Sequence, residues 1–160
     1  MQVAMRSSRI FTAVVVLVFV IAALSVASAA LTVTFSTIAS GTQSGVRSRT
    51  EVVIRTLPDW QALWRKHATA LPGAPAAPKV DFSRDMVIAV FAGEATPATR
   101  VSIVRIFQDQ GRLIVLVRIG EIQPGPAQTD SAGAKPFQVV RLARSTLPVI
   151  FRPARTPATY

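Results

Sequence analysis

Hydrophobic and polar positions alternate along residues 46–55. Val46, Ser48, Thr50, Val52 and Ile54 fall on one side, and Arg47, Arg49, Glu51 and Arg55 on the other, with Val53 out of step. A period of two predicts a half-buried strand with one wet face. The period then changes. Thr56-Leu57-Pro58-Asp59 supplies a capping hydroxyl, a first-turn proline and an acid three residues after the cap, which is the signature of a helix start. Trp60, Leu63, Trp64 and His67 follow at helical spacing on one face, so a helix is expected to about Ala70. Two tryptophans on one short helix could form a carbohydrate platform. Packing of the helix onto a sheet is the reading preferred here, because large aromatics dominate core burial.

Residues 72–78 are rich in Pro and Ala and cannot stay helical. Asp81 is placed to hydrogen-bond local backbone in an Asx turn. Residues 86–91 are an unbroken apolar run of strand length, expected as a central strand buried on both faces. Residues 100–108 and 112–119 flank Asp109-Gln110-Gly111 as a hairpin, with Leu113, Val115, Val117 and Ile119 facing inward. Residues 136–142 and 147–151 read as the last two strands. About six strands and one helix, mostly in hairpin order, predict an α+β fold: a mainly antiparallel sheet or small sandwich with one packed helix.

The N-terminal pattern assigns a compartment. Residues 1–9 carry Arg6 and Arg9 and no acid, residues 10–26 are apolar apart from Thr12 and Ser25, and Ala27-Ser28-Ala29 follows. This is the three-part pattern of a secretory signal, with cleavage expected after Ala29 or Ala30. The rival is an uncleaved anchor, for which the apolar run is near the lower limit of length. Both readings export the remaining chain to the periplasm or the extracellular space. The expected organisation is a signal or anchor over 1–30, a flexible spacer over 31–45 with at most a short strand at 31–35, a β-rich domain over 46–152 and a tail over 153–160.

Charge and composition narrow the chemistry. The 160 residues include 18 Lys+Arg, 8 Asp+Glu, one His and no Cys. No disulfide, thiolate metal site or cysteine nucleophile is available, and one histidine cannot make a polyhistidine metal site within the chain. The positive charges are scattered rather than clustered in a tail. Their sign suits nucleic acid, but the compartment does not, so no nucleic-acid partner is expected. A weak association with anionic envelope polymers or lipid is the cationic alternative.

A serine nucleophile needs a base, and the one candidate, His67, sits at a helix end beside Arg65 and Lys66, where dipole complementarity or packing against Trp64 explains it. Nothing marks Lys66, Lys79 or Lys135 as a catalytic amine. The acids are isolated and several fall at turns, without the spacing of a calcium loop. There is no phosphate-cradling glycine loop. No catalytic, cofactor or metal residue is therefore assigned. The expected recognition residues are in the loops: Thr96, Pro97, Thr99 and Arg100 in 93–100, and Gln128, Thr129 and Lys135 in 120–135.

Certain residues also carry a family resemblance. The order Trp60, Leu63-Trp64, Val80-Asp81-Phe82-Ser83, then Met86-Val87-Ile88-Ala89-Val90-Phe91-Ala92-Gly93 resembles the PrcB C-terminal domain family. So does the closing series Pro124-Gly125, Gln128-Thr129 and Pro136-Phe137-Gln138-Val139-Val140. The resemblance spans about residues 48–151. It implies an exported, non-enzymatic accessory domain that binds a protein partner, such as a protease it stabilises or restrains. Family members often carry a Pro-Thr-Gly-Gly-Tyr-like segment after the buried strand, similar to the protease-binding loop of chagasin-type inhibitors. Here Thr96-Pro97-Ala98-Thr99-Arg100-Val101 stands at that place, keeping Pro97 and Thr99 without the paired glycines or the aromatic.

Overall fold

The computed structural model describes residues 30–121 and 133–155. In chain order the elements are β1 (Leu31–Thr32), β2 (Phe35–Gly41), β3 (Thr50–Ile54), α1 (Leu57–Ala68), β4 (Asp85–Phe91), β5 (Thr99–Asp109), β6 (Arg112–Glu121), β7 (Phe137–Ala143) and β8 (Val149–Pro153). Two four-stranded sheets form, ordered β1-β5-β6-β8 and β2-β7-β4-β3. All pairings are antiparallel except β6 with β8, which is parallel. The expected α+β sandwich with one packed helix is what the chain adopts.

Strand β4 organises the layers. Its side chains alternate between two cores. Val87, Ala89 and Phe91 pack with Trp60, Trp64 and Ala68 of α1, while Met86, Ile88 and Val90 pack with Ile103, Ile106, Leu113, Val115 and Val117 of the other sheet. The unbroken apolar run is therefore needed, because both faces of β4 are covered. The same logic explains Val53. Val52 and Ile54 face the helix, and Val53 faces the opposite sheet. The β5–β6 hairpin turns through Gln110 and Gly111, both at positive φ, with Asp109 opposite Arg112. Leu113, Val115, Val117 and Ile119 all join the inter-sheet core.

The helix starts as its sequence requires. Thr56 is extended and its hydroxyl accepts from the Asp59 N–H. The helix stops at Ala68, two residues short of expectation.

The flexible spacer is a correction. Residues 31–41 supply β1 on the edge of one sheet and β2 on the edge of the other, so the folded unit includes them. Phe35 packs into the inter-sheet core, while Ile38 and Ala39 pack on the helix side. A register shift between Thr37 and Ala39 interrupts the alternation, which hides the strand from a period-two reading. The strand expected over 46–55 begins only at Thr50. Residues 1–29, where the signal or anchor is expected, lie outside the described residues, as do 122–132 and the end of the tail.

Candidate functional site

The two expected recognition loops meet at one end of the sandwich. Strand β4 leaves its sheet through Gly93, whose φ is +78°. A Cβ there would lie 2.7 Å from the Arg47 carbonyl oxygen and 2.8 Å from the Arg49 nitrogen, so only glycine lets the chain cross the 47–49 segment. The Glu94 N–H donates to the Arg47 carbonyl at 2.9 Å. Ala95 and Ala134 then form an antiparallel bridge: each N–H donates to the other's carbonyl, at 2.8 and 2.9 Å. The Lys135 N–H donates to the Thr42 carbonyl at 2.8 Å. Three segments far apart in sequence are thus laced through backbone groups.

Side chains complete the lacing. The Thr96 hydroxyl donates to the Glu121 carboxylate at 2.8 Å and lies 2.9 Å from the Thr99 hydroxyl. The Arg100 guanidinium donates to the carbonyls of Pro97 and Thr99. An exposed Arg47–Glu94 pair at 3.8 Å adds little.

This geometry redistributes the expected contacts. Thr96 is exposed and Pro97 half-buried, so both are presented. Thr99 is only 8% exposed, and Arg100 is curled back onto its own loop. Both help hold the loop in shape; Thr99 offers little surface, while Arg100 is half-buried like Pro97. Lys135 is half-buried and fixed by its backbone. Gln128 and Thr129 lie outside the described residues. Glu94 and Glu121 lie within the expected loops without having been singled out, and Arg47 joins the same edge from outside them. Gly93 was the available signal, since a glycine at a strand end marks a close backbone crossing.

A second polar cluster is sealed inside. Ser44 and His67 are 0% and 1% exposed. His67 Nδ1 lies 3.0 Å from Ser44 Oγ, which also accepts from the Val46 N–H at 3.1 Å. The imidazole is packed among Trp64, Phe91 and Phe137, at centroid distances of 4.9, 5.9 and 4.2 Å. His67 Nε2 has no hydrogen-bond partner among the described residues. Burial lowers the His67 pKa, because the low-dielectric surroundings oppose the charged form. The packing against Trp64 is the one expected.

Above the unfolded value of about 6.5, both states hold neutral imidazole and His67 adds no slope. As pH falls below that value, the unfolded chain takes up the proton first. Stability should then decline by up to about 1.4 kcal/mol per pH unit until the lowered folded value is reached. The ring's neighbours, Ser44, Trp64, Phe91 and Phe137, do not ionise in this window. Urea midpoints between pH 7 and 5 should fall for the native chain and flatten for His67→Gln. Equal slopes would contradict the assignment.

The tryptophans serve packing. Trp60 and Trp64 are buried, with ring centroids 5.2 Å apart, and their indole N–H groups donate to the carbonyls of Pro78 and Pro75. They pin the Pro/Ala segment over the helix and are not a sugar platform. Asp81 accepts from the Ser83 hydroxyl at 2.6 Å and the Ser83 N–H at 3.0 Å, the expected Asx turn. The Ser83 hydroxyl, then its backbone N–H, hold the Asp81 pKa low. Among the described residues no three His or carboxylate side chains gather as metal ligands would.

No family model, curated protein or solved structure matches the chain.

Proposed function

We propose that this chain is an exported, non-catalytic accessory domain that binds a protein partner through the laced loop edge, and that an exported protease it stabilises or restrains is such a partner. The Ala95–Ala134 bridge carries the reading. It joins two loops into one edge whose backbone is already paired before any partner arrives. A pre-paired edge loses little conformational entropy on binding, and loops held on a rigid scaffold commonly carry recognition. Thr96, Pro97 and Glu94 are the presented groups, with Arg47 beside them. The resemblance of about residues 48–151 to the PrcB C-terminal domain family supports the same class of partner.

The test is crosslinking in the native envelope followed by mass spectrometry, for the native chain and for Thr96→Ala/Glu94→Ala. Both substitutions are at exposed positions, so folding should change by no more than about 1 kcal/mol. A specific partner should be captured by the native chain and drop at least about tenfold with the double variant. Undiminished capture by the double variant removes this edge from recognition. Turnover of a substrate by the purified chain, lost on a single substitution, would overturn the non-catalytic reading.

A further inference from the structure

The two sheets differ in how their outer faces are covered. The β2-β7-β4-β3 sheet carries α1 on its outside. The β1-β5-β6-β8 sheet has no such layer among the described residues. Period-two alternation assigns its outer face by elimination. Val101, Ile103, Ile106, Leu113, Val115, Val117, Val149 and Phe151 point into the inter-sheet core, so their strand neighbours point out.

Register then sorts the outward residues into rows. One row is Arg105–Leu116–Arg152. The next is Thr32–Phe107–Ile114–Ile150, in which Ile114 is buried at 1% exposure, Phe107 and Ile150 are half-buried and Thr32 is exposed. Arg118 lies opposite Ser102 on one flank, and Arg112 lies opposite Asp109 on the other. The register shift between Ile103 and Arg105 pushes Val104 outward as well, 41% exposed. Side-chain contacts agree: the Arg105 guanidinium lies 5.2 Å from the Phe107 ring centroid and donates to Thr32 Oγ1 at 2.9 Å.

The charge on this face is one-sided. Arg105, Arg112, Arg118 and Arg152 are all exposed, and Asp109 is the one acid in the rows. The three ion pairs among the described residues, Arg47–Glu94, Arg49–Glu51 and Arg141–Asp85, involve none of these arginines. The face is therefore a sheet surface whose apolar middle shows Val104 and parts of the half-buried Phe107, Leu116 and Ile150, with unneutralised guanidinium groups around it.

We infer that the outer face of the β1-β5-β6-β8 sheet is a docking surface for an anionic phospholipid bilayer. Guanidinium groups meet phosphate through paired N–H donors. The apolar row of Phe107 and Ile150, with Leu116 and Val104, faces the boundary where headgroups give way to acyl chains. A linear polyanion would be served by the arginines alone and gives the apolar row no task. Topology agrees: four residues separate the apolar run of residues 10–26 from Leu31, which begins β1 on the edge of this same sheet. A chain that kept that run as an anchor would hold this sheet nearest the lipid. The surface is separate from the loop edge and does not depend on it.

The experiment is vesicle flotation of the full chain on neutral phosphatidylcholine and on vesicles holding about 30 mol% phosphatidylglycerol. Three proteins are compared: native, Arg105→Gln/Arg118→Gln/Arg152→Gln, and a control with the same charge loss near the helix, Arg65→Gln/Lys66→Gln/Lys79→Gln. The N-terminal segment is common to all three, so any contribution it makes cancels. On anionic vesicles the sheet-face variant should partition at least about tenfold more weakly than the native chain. The control should stay near native, and the native advantage should shrink at high salt. On neutral vesicles all three should agree. An equal loss in both triple variants would reduce the effect to net charge and overturn the assignment. So would a sheet-face variant that floats like the native chain, or one that loses polyphosphate binding while keeping vesicle binding. Thermal melts of all three proteins should coincide, because every substituted side chain is exposed. None of these outcomes bears on partner capture through the loops.

Discussion

Replacing Trp60 by alanine should cost about 3–5 kcal/mol, a large part of the roughly 5–15 kcal/mol that holds a domain of this size together. Trp60 is 1% exposed and sits where α1 meets β4. Its removal deletes the Trp60–Trp64 contact and opens a cavity between helix and sheet. It also leaves the Pro78 carbonyl without its indole donor. Trp60→Phe separates these contributions. It keeps most of the apolar volume and loses the hydrogen bond, so it should cost about 1–2 kcal/mol. Urea unfolding should show a lower midpoint with little change in slope for both variants. If Trp60→Ala cost no more than Trp60→Phe, the helix would not be held by burial of this ring. If the tryptophans instead served ligand binding, stability would barely respond.

Trp60 also marks what a single sequence reveals. Wherever apolar spacing follows one clean period, the element was legible: the α1 face, the β4 run and the inward face of β6 could each be assigned from residues alone. The cap at Thr56 was equally plain, because its chemistry is local. Legibility fails where the period breaks or where a partner is distant. Strand β2 carries few large apolar residues and a bulge, so its identity comes from pairing with β7, about a hundred residues later in the chain. The parallel partnership of β6 with β8 has no local sign. For the loop edge, the sequence singled out two loops that the fold joins through Ala95 and Ala134, and gave no sign of where their side chains turn. Thr99 and Arg100 are polar loop residues, which suggested contacts, yet a hydroxyl and a guanidinium can equally turn inward to satisfy nearby backbone. The bond between Ser44 and His67 was out of reach for the same reason. A serine in a polar stretch gives no hint that it caps a buried ring.

That buried pair depends on a residue with no side chain. Gly45 should tolerate not even a methyl group: Gly45→Ala is expected to destabilise the chain by about 3 kcal/mol or more. A Cβ at Gly45 would lie 2.0 Å from Thr69 Oγ1 and 2.1 Å from the Lys66 carbonyl oxygen. The first contact can be relieved by rotating a side chain. The second cannot, because that oxygen belongs to the last turn of α1. The 42–46 segment would have to lift off the helix end. Lifting breaks the Gly45 N–H donation to the His67 carbonyl and the bond between Ser44 and His67, leaving both imidazole nitrogens buried without partners. Adding Thr69→Ala should therefore rescue little of the loss. Ser44→Ala should cost about 1–3 kcal/mol in the native chain and much less in the Gly45→Ala background, because one displaced segment accounts for both effects. The disturbance should also travel. The same segment continues into Arg47, whose carbonyl holds the Glu94 N–H, so amide exchange at Glu94 should speed up in Gly45→Ala through local opening, while exchange at Ile88 in β4 should speed up only as far as global stability falls. Full rescue by Thr69→Ala, or unchanged exchange at Glu94, would show that the helix end and the loop edge are not joined in this way.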